Sequence, residues 1–339
     1  IGIGCGLIRM QNGHYMTGDG NHHRMVEVDM MGNTIHNWDM LERGYTVHHA
    51  ISQDKQGNIL ATVSKTSAKI ANGQDVRIND FIIMMDPEKG EILKEWDLVH
   101  MLDSARYGMT DYNLTSDPFA QSASNWAHNN GIIEWGEDYL ATARYQGIFK
   151  FNKAGGIEWI ISAHGYWRDR YLKLLLNPLH ADGTPITDPE VIAGTKNCDD
   201  FEWPWGCHTA VPLPNGHIFY FNNGYGRNFK LDFTDRRNIY TCGIEYEVDE
   251  ENRTVRQVWQ YGKERGAAYF TPARSGVQYL EQTGNRLICP GMSNVLSNGT
   301  YGARVTEVDP ETQEVVFELE LEDAIYQRVY RMPLYPDNQ

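Results

Sequence analysis

A chain of 339 residues can bury a large core, enough for one all-β domain or two ordinary ones. Its formal charge of −15 and pI near 5.2 argue against nucleic acid or an anionic membrane surface as the main partner, since both need a basic face, and favour a small molecule. No run approaches the roughly 18 consecutive apolar residues of a membrane span.

The chain opens inside a strand, Ile1-Gly2-Ile3-Gly4-Cys5-Gly6, which lacks the basic start and apolar run of a signal peptide. With no initiator Met, a leader already removed is compatible with the sequence. From there, alternating apolar runs of four to eight residues, punctuated by Gly, Asn and Asp, predict short antiparallel strands. One signal repeats: an apolar residue, an Asp or Asn, a short turn, then a strand often ending in Trp. It runs from Val28-Asp29 to Trp38, Met85-Asp86 to Trp96, Phe151-Asn152 to Trp159 and Val248-Asp249 to Trp259, and without the Trp from Val308-Asp309 to Leu319. Each copy fits the outer hairpin of a four-stranded blade, so the fold class read from the sequence is an all-β propeller. Complete units fall at 3–40, 47–97, 128–162, 208–262 and 276–320, and segment 326–331 is left over. That segment is expected to be the innermost strand of a sixth, closing blade whose other strands precede Ile1. Two insertions interrupt the repeats and are expected to roof a site: 98–125, with a short helix over 98–105, and 163–205, with a helix over 167–176 ended by Pro178.

Three stretches begin a strand with histidine: Val47-His48-His49-Ala50-Ile51, Trp126-Ala127-His128-Asn129-Asn130 and Gly206-Cys207-His208-Thr209-Ala210. His49 and His208 each stand eight residues before a Gly, Gly57 and Gly216, and His128 stands nine before Glu137. In a radially repeated fold such equivalent positions aim three imidazoles at one point, as a catalytic centre requires. The repeat selects His49; strand alternation then turns His48 to the opposite face as a structural residue, and the pair His22-His23 reads as a solvated turn. His128 and Asn130 are two apart and share a face, and Arg144 follows in Ala141-Thr142-Ala143-Arg144; together they suit the oxygens of a compact anion. In Phe201-Glu202-Trp203-Pro204-Trp205, the indoles of Trp203 and Trp205 either wall a planar aromatic ligand beside a neutral His208 or belong to the core. The charged run Tyr261-Gly262-Lys263-Glu264-Arg265-Gly266 reads as a solvated loop.

Five cysteines are too few for a disulfide scaffold, though Cys198 and Cys207, nine apart in one loop, are able to bridge. No CxxC pair or zinc-type Cys/His spacing occurs, so neither a metal nor a cofactor is expected. There is also no Gly-rich phosphate loop, GxSxG elbow or nucleotide fingerprint, which argues against a nucleotide donor.

Trp126-Ala127-His128-Asn129-Asn130 with Arg144, the block from Phe201 to Ala210, Phe221-Asn222-Asn223-Gly224-Tyr225-Gly226-Arg227, Val258 to Gly266 and the closing Tyr330-Arg331 together resemble the bacterial aryl-sulfate sulfotransferases, which need no PAPS. The resemblance implies a six-bladed propeller with an extra N-terminal β domain, absent here along with the start of the propeller, in an exported, periplasmic homodimer. It implies a phenolic sulfate donor, a phenol acceptor and ping-pong transfer through a sulfohistidine on His208. His128, Asn130 and Arg144 then hold the sulfuryl oxygens and His49 is the remaining active-site histidine. The sequence does not assign the proton shuttle between His49 and His128. The family's disulfide near the nucleophile has a spacing unlike that of Cys198 and Cys207. Two readings compete: a non-catalytic propeller that binds an anion or a protein, and an aryl-sulfate hydrolase using the same centre. A metal-type sulfatase is disfavoured because no C/S-x-P-x-R motif occurs.

Overall fold

The computed structural model describes residues 4–20, 22–65, 80–106, 126–231, 233–293 and 300–333. Among the described residues nearly all regular structure is β, in five sheets, antiparallel but for one added strand, arranged as propeller blades. Blade I holds β1 (Gly4–Arg9), β2 (Tyr15–Asp19), β3 (Arg24–Val28) and β4 (Thr34–Asp39). Blade II holds β5 (Tyr45–Gln53), β6 (Ile59–Lys65), β7 (Asp80–Met85) and β8 (Ile92–Asp97). Blade III holds β9 (Asn129–Trp135), β10 (Asp138–Ala143), β11 (Gly147–Phe151) and β12 (Ile157–Ile161). After β13 (Asn177–Leu179), blade IV holds β14 (Ala210–Pro212), β15 (Ile218–Asn222), β16 (Cys242–Asp249) and β17 (Thr254–Tyr261). Blade V holds β18 (Ser275–Tyr279), β19 (Arg286–Pro290), β20 (Gly302–Val308) and β21 (Val315–Glu322).

The repeated Asp or Asn has a mechanical role in each outer hairpin. Its carboxylate or amide oxygen accepts turn N–H groups: Asp29 from Met31 and Asn33, Asp86 from Glu88 and Lys89, Asn152 from Ala154 and Gly156, Asp309 from Glu311 and Thr312. The repeated Trp then ties one blade to the next. Trp38 Nε1 donates to Pro87 O at 3.3 Å, Trp96 to Lys153 O at 3.1 Å, Trp159 to Glu250 Oε1 at 2.8 Å and Trp259 to Pro310 O at 3.1 Å. Each acceptor lies in the outer hairpin of the following blade. Glycine in that hairpin makes room for the indole: a Cβ on Gly90 would stand 2.6 Å from the Trp38 ring. Blade V, where Leu319 replaces the Trp, has an outer strand β21 that is almost wholly exposed.

Middle strands such as β6 and β15 are buried on both faces, because neighbouring blades cover them from either side. The inner strands β5, β9, β14 and β18 line the centre.

Three expectations are corrected. Segment 326–331 is not a strand among the described residues. Tyr326 N donates to Gly291 O, and the Gln278 side chain bonds both the N–H and the C=O of Arg331, so a side chain occupies the backbone groups that a ladder needs. The same tail reaches blade I, where Arg9 Nη1 donates to Pro333 O at 2.7 Å. The helix expected over 98–105 is one turn, Leu98–Met101, and residues 107–125 lie outside the described part. The helix expected over 167–176 is also one turn, Asp169–Leu172; Leu175 then bridges to Ile160, and β13 pairs in parallel with β17 as an outer fifth strand, where Pro178 is tolerated. The two insertions meet at Arg106, whose buried guanidinium bonds the carbonyls of Tyr145, Ala163 and Gly165 and lies over the Trp167 ring. Burial pushes its pKa down to about 9.

Candidate active site

His49 sits in β5, His128 immediately precedes β9, and His208 stands two residues before the short β14, so the inner strands of three successive blades deliver the three rings to one place. The His49 and His128 ring centroids are 4.6 Å apart, and those of His49 and His208 are 6.5 Å apart. His49 Nε2 lies 3.1 Å from His128 Nε2.

The backbone is forced to achieve this. His49 and His128 have φ of +47° and +53°, left-handed values that cost a non-glycine residue on the order of 1–2 kcal/mol each. The β5 ladder skips at this point, with Val47 opposite Val63 but Ile51 opposite Ala61. Alternation therefore fails, and the assignment of His48 to the opposite face is corrected. His48 Nδ1 stands 3.0 Å from His49 Nδ1, and His48 Nε2 lies 3.4 Å from Asp80 Oδ1. Asp80 is itself buried and accepts from Asn129 N at 2.8 Å. The result is a file of side chains from Asp80 through His48 and His49 to His128.

His208 is held separately. Its Nδ1 is 2.6 Å from Asn223 Oδ1, and Asn223 Nδ2 donates to Thr271 O at 2.8 Å. That second bond fixes the amide orientation, so Oδ1 must accept and His208 Nδ1 must carry the proton. Nε2 is left with its lone pair. Burial, then the charges of Arg144 and Arg328, push the His208 pKa down to about 3. Burial first, then neighbouring imidazoles and cations, also hold His49 and His128 well below the ordinary histidine value. The centre is thus a group of neutral imidazoles beside fixed cations.

Arg144, at the end of β10, is buried; its Nη2 donates to Pro272 O at 2.7 Å and its guanidinium stacks 4.4 Å above the Tyr225 ring. Asn130 Nδ2 donates to Cys207 O at 3.0 Å, which ties β9 to the segment carrying His208. Gly131 is required beside it, since a Cβ there would meet Thr142 Oγ1 at 2.6 Å.

Two alternatives left open by the sequence in this region can now be described. Trp203 and Trp205 are buried in the core formed with Phe201, Phe229 and Tyr246; Trp203 Nε1 donates to Val191 O, and Trp205 packs edge-on against Phe229. They therefore belong to the core. Cys198 and Cys207 are both free thiols: Cys198 Sγ donates to Asp200 Oδ1, while Cys207 Sγ is buried toward Ala143 O and its pKa is pushed up to about 12 by burial.

Four contributors escaped sequence reasoning. Asn223 and Tyr225 lie within a quoted motif but carried no assigned role. Asp80 gave no signal. Arg328 comes from the tail that was read as a strand; its Nη2 donates to Asn130 O, and its side chain passes Gly276, whose missing Cβ would stand 3.6 Å from the Arg328 Cγ. Among the described residues, Asn130 Oδ1, Thr209 Oγ1 and Arg328 Nε are buried and find no hydrogen-bond partner, which makes the centre polar as well as cationic.

A family model described as Arylsulfotransferase (ASST) matches residues 3–331. The chain is 29% identical over 366 residues to the arylsulfate sulfotransferase AssT of Escherichia coli O6:H1, covering 98% of this chain and 60% of that protein. It is also 29% identical over 367 residues to AssT of Lelliottia amnigena, with the same shares covered. The chain thus spans about 60% of the length of these curated relatives. Among solved structures, a protein of unknown function from Bacteroides caccae is similar in fold, with a TM-score of 0.50 at 11% identity over 94% of this chain and 81% of that one.

Proposed function

We propose, on the premise that this chain belongs to the arylsulfotransferase family, that it moves a sulfuryl group from a phenolic sulfate ester to a phenol in ping-pong order through a sulfohistidine on His208. The observation that carries this reading is the 2.6 Å bond from His208 Nδ1 to an amide oxygen that can only accept. It leaves Nε2 unprotonated, in a ring whose pKa burial pushes down to about 3.

In the first half-reaction the Nε2 lone pair attacks sulfur, the S–O bond to the aryl group breaks, and phenolate departs. The sulfuryl group passes between them as a planar unit with charge on three oxygens, so fixed donors matter more than covalent chemistry. Arg144 supplies a planar fork, His128 and the second N–H of Asn130 supply hydrogen bonds, and Arg328 adds charge. The departing phenolate takes its proton from solvent, and the neutral His49 and His128 pair, in 3.1 Å contact, accepts the proton of the acceptor phenol as its oxygen attacks the sulfohistidine, then releases that proton to solvent. Asp80 and His48 orient His49 for that exchange. An exported, periplasmic enzyme that works as a homodimer belongs to the same proposal, supported by the family resemblance.

The test is rapid quench of the protein with an aryl sulfate and no acceptor. An acid-labile mass increase of one sulfuryl group is expected on the His208 peptide and should vanish when phenol is added. Label on another residue, or none at any quench time, removes His208 from this role. Release of free sulfate without a sulfated phenol would instead identify a hydrolase.

A further inference from the structure

Within the 163–205 insertion, outside the active site, three different ligand types converge. His180 Nδ1 lies 3.0 Å from Asp200 Oδ1, Cys198 Sγ lies 3.1 Å from the same oxygen, and the ligand atoms of all three lie within 4.8 Å of one another. We propose that His180, Cys198 and Asp200 form a binding site for a zinc-like divalent cation that clips the turn at 180–183 to the segment leading into His208.

The donor set decides the class of metal. Imidazole, thiolate and carboxylate suit zinc or cobalt(II), whereas calcium and magnesium take oxygen ligands. With bonds of about 2.0–2.3 Å, a tetrahedral ion spaces its ligands roughly 3.3–3.8 Å apart, so the observed 3.0 and 3.1 Å edges need to open by only tenths of an ångström.

The site is also supported from behind. Asp200 Oδ2 accepts from Ala181 N at 2.9 Å, which turns Oδ1 toward the other two groups. His180 is itself set by a tight turn, its N–H donating to Thr184 O and its C=O accepting from Gly183 N. The His180 and Asp200 side chains are 40% and 37% exposed, enough for an ion to enter with water completing its coordination. On binding, Cys198 loses its thiol proton to solvent and sulfur takes up a metal bond; the imidazole keeps one proton, relocated to Nε2 so that Nδ1 is free to ligate. Because the ligands come from two segments of the loop, no Cys/His spacing in the sequence marks them.

The experiment is titration of the metal-stripped chain with cobalt(II) alone, followed by zinc competition. One cobalt per chain is expected, with a thiolate-to-cobalt charge-transfer band in the near ultraviolet that zinc bleaches. Cys198→Ser should abolish the band and weaken cobalt binding at least ~10-fold, His180→Asn should weaken it similarly, and Asp182→Asn should change neither. Saturating zinc should raise the melting temperature of the wild type and leave that of Cys198→Ser unmoved. Circular dichroism of the metal-free variants, matching metal-free wild type, guards against misfolding. Absence of the band, or binding indifferent to Cys198→Ser in a folded variant, overturns the proposal. Neither readout depends on sulfuryl transfer.

Discussion

The outer rim and the central channel use the repeat in opposite ways. At the rim four of the five blades do the same thing: an Asp or Asn closes the hairpin, and a Trp reaches into the next hairpin. At the centre three equivalent positions carry the same side chain, an imidazole, each held by a different device. His49 depends on a ladder skip and a left-handed backbone, His128 on a left-handed backbone, and His208 on an amide clamp. Redundant contacts spread stability over many small bonds. Singular contacts concentrate chemistry at the expense of stability, since strained backbone, buried cations and neutral imidazoles are all unfavourable. Substitution in the two regions should therefore separate activity from stability.

His208→Asn is the sharpest break. It should lower transfer by at least ~10³-fold and abolish the covalent adduct. The same variant should hold up better in acid. His208 has a folded pKa of about 3, below the unfolded value of about 6.5, so between those pH values the unfolded chain takes a proton that the native site refuses. The wild type therefore loses roughly 1.4 kcal/mol per pH unit from this ring as pH falls through that window. Chemical denaturation at pH 7 and pH 4.5 should show a smaller drop for His208→Asn, and equal drops would contradict a depressed pKa.

Arg144→Lys comes next. Lysine keeps the charge but loses the fork, the bond to Pro272 O and the stack on Tyr225, so turnover should fall on the order of 10²-fold. Steady-state kinetics with one aryl sulfate checks it. A rate close to that of wild type would place Arg144 outside the reaction.

How much of this was legible depends on whether a feature repeats. The Asp-turn-Trp signal recurs with its physical cause, so five blade boundaries could be read within a few residues of the observed strands. Equivalent position in the repeat also singled out His49, His128 and His208. What failed was the assumption that alternation continues through the site: the skip in β5 puts His48 beside His49, and nothing in Val47-His48-His49-Ala50 announces a left-handed residue. The helices failed because tertiary contacts took over segments 98–106 and 163–205. Trp203 and Trp205 look alike as core or as ligand wall until the neighbours on each face are known. His48→Phe tests the region that the sequence concealed. It keeps a ring but removes both nitrogens from the file, so kcat should fall on the order of 10-fold with KM nearly unchanged, and the acidic limb of the pH–rate profile should move. An unchanged profile in a folded variant would reduce His48 to packing.

The smallest expected effect probes the rim. Trp96 is buried, lies against Tyr139 and Phe151, and donates to Lys153 O at 3.1 Å across the junction of blades II and III. Trp96→Phe retains most of the apolar contact but deletes the donor and leaves the carbonyl with one bond fewer. A lost hydrogen bond of this kind costs about 0.5–1.5 kcal/mol, and the smaller ring adds a further fraction by leaving space beside Gly155. Because three other indoles make the equivalent bond at other junctions, the ring should stay closed. The melting temperature should fall by a few degrees while kcat stays within about twofold of wild type. A large loss of activity at unchanged stability would mean that the blade II–III junction positions His49 and His128 directly. Rim and channel would then be mechanically coupled, and the division of labour argued from the repeat would fail.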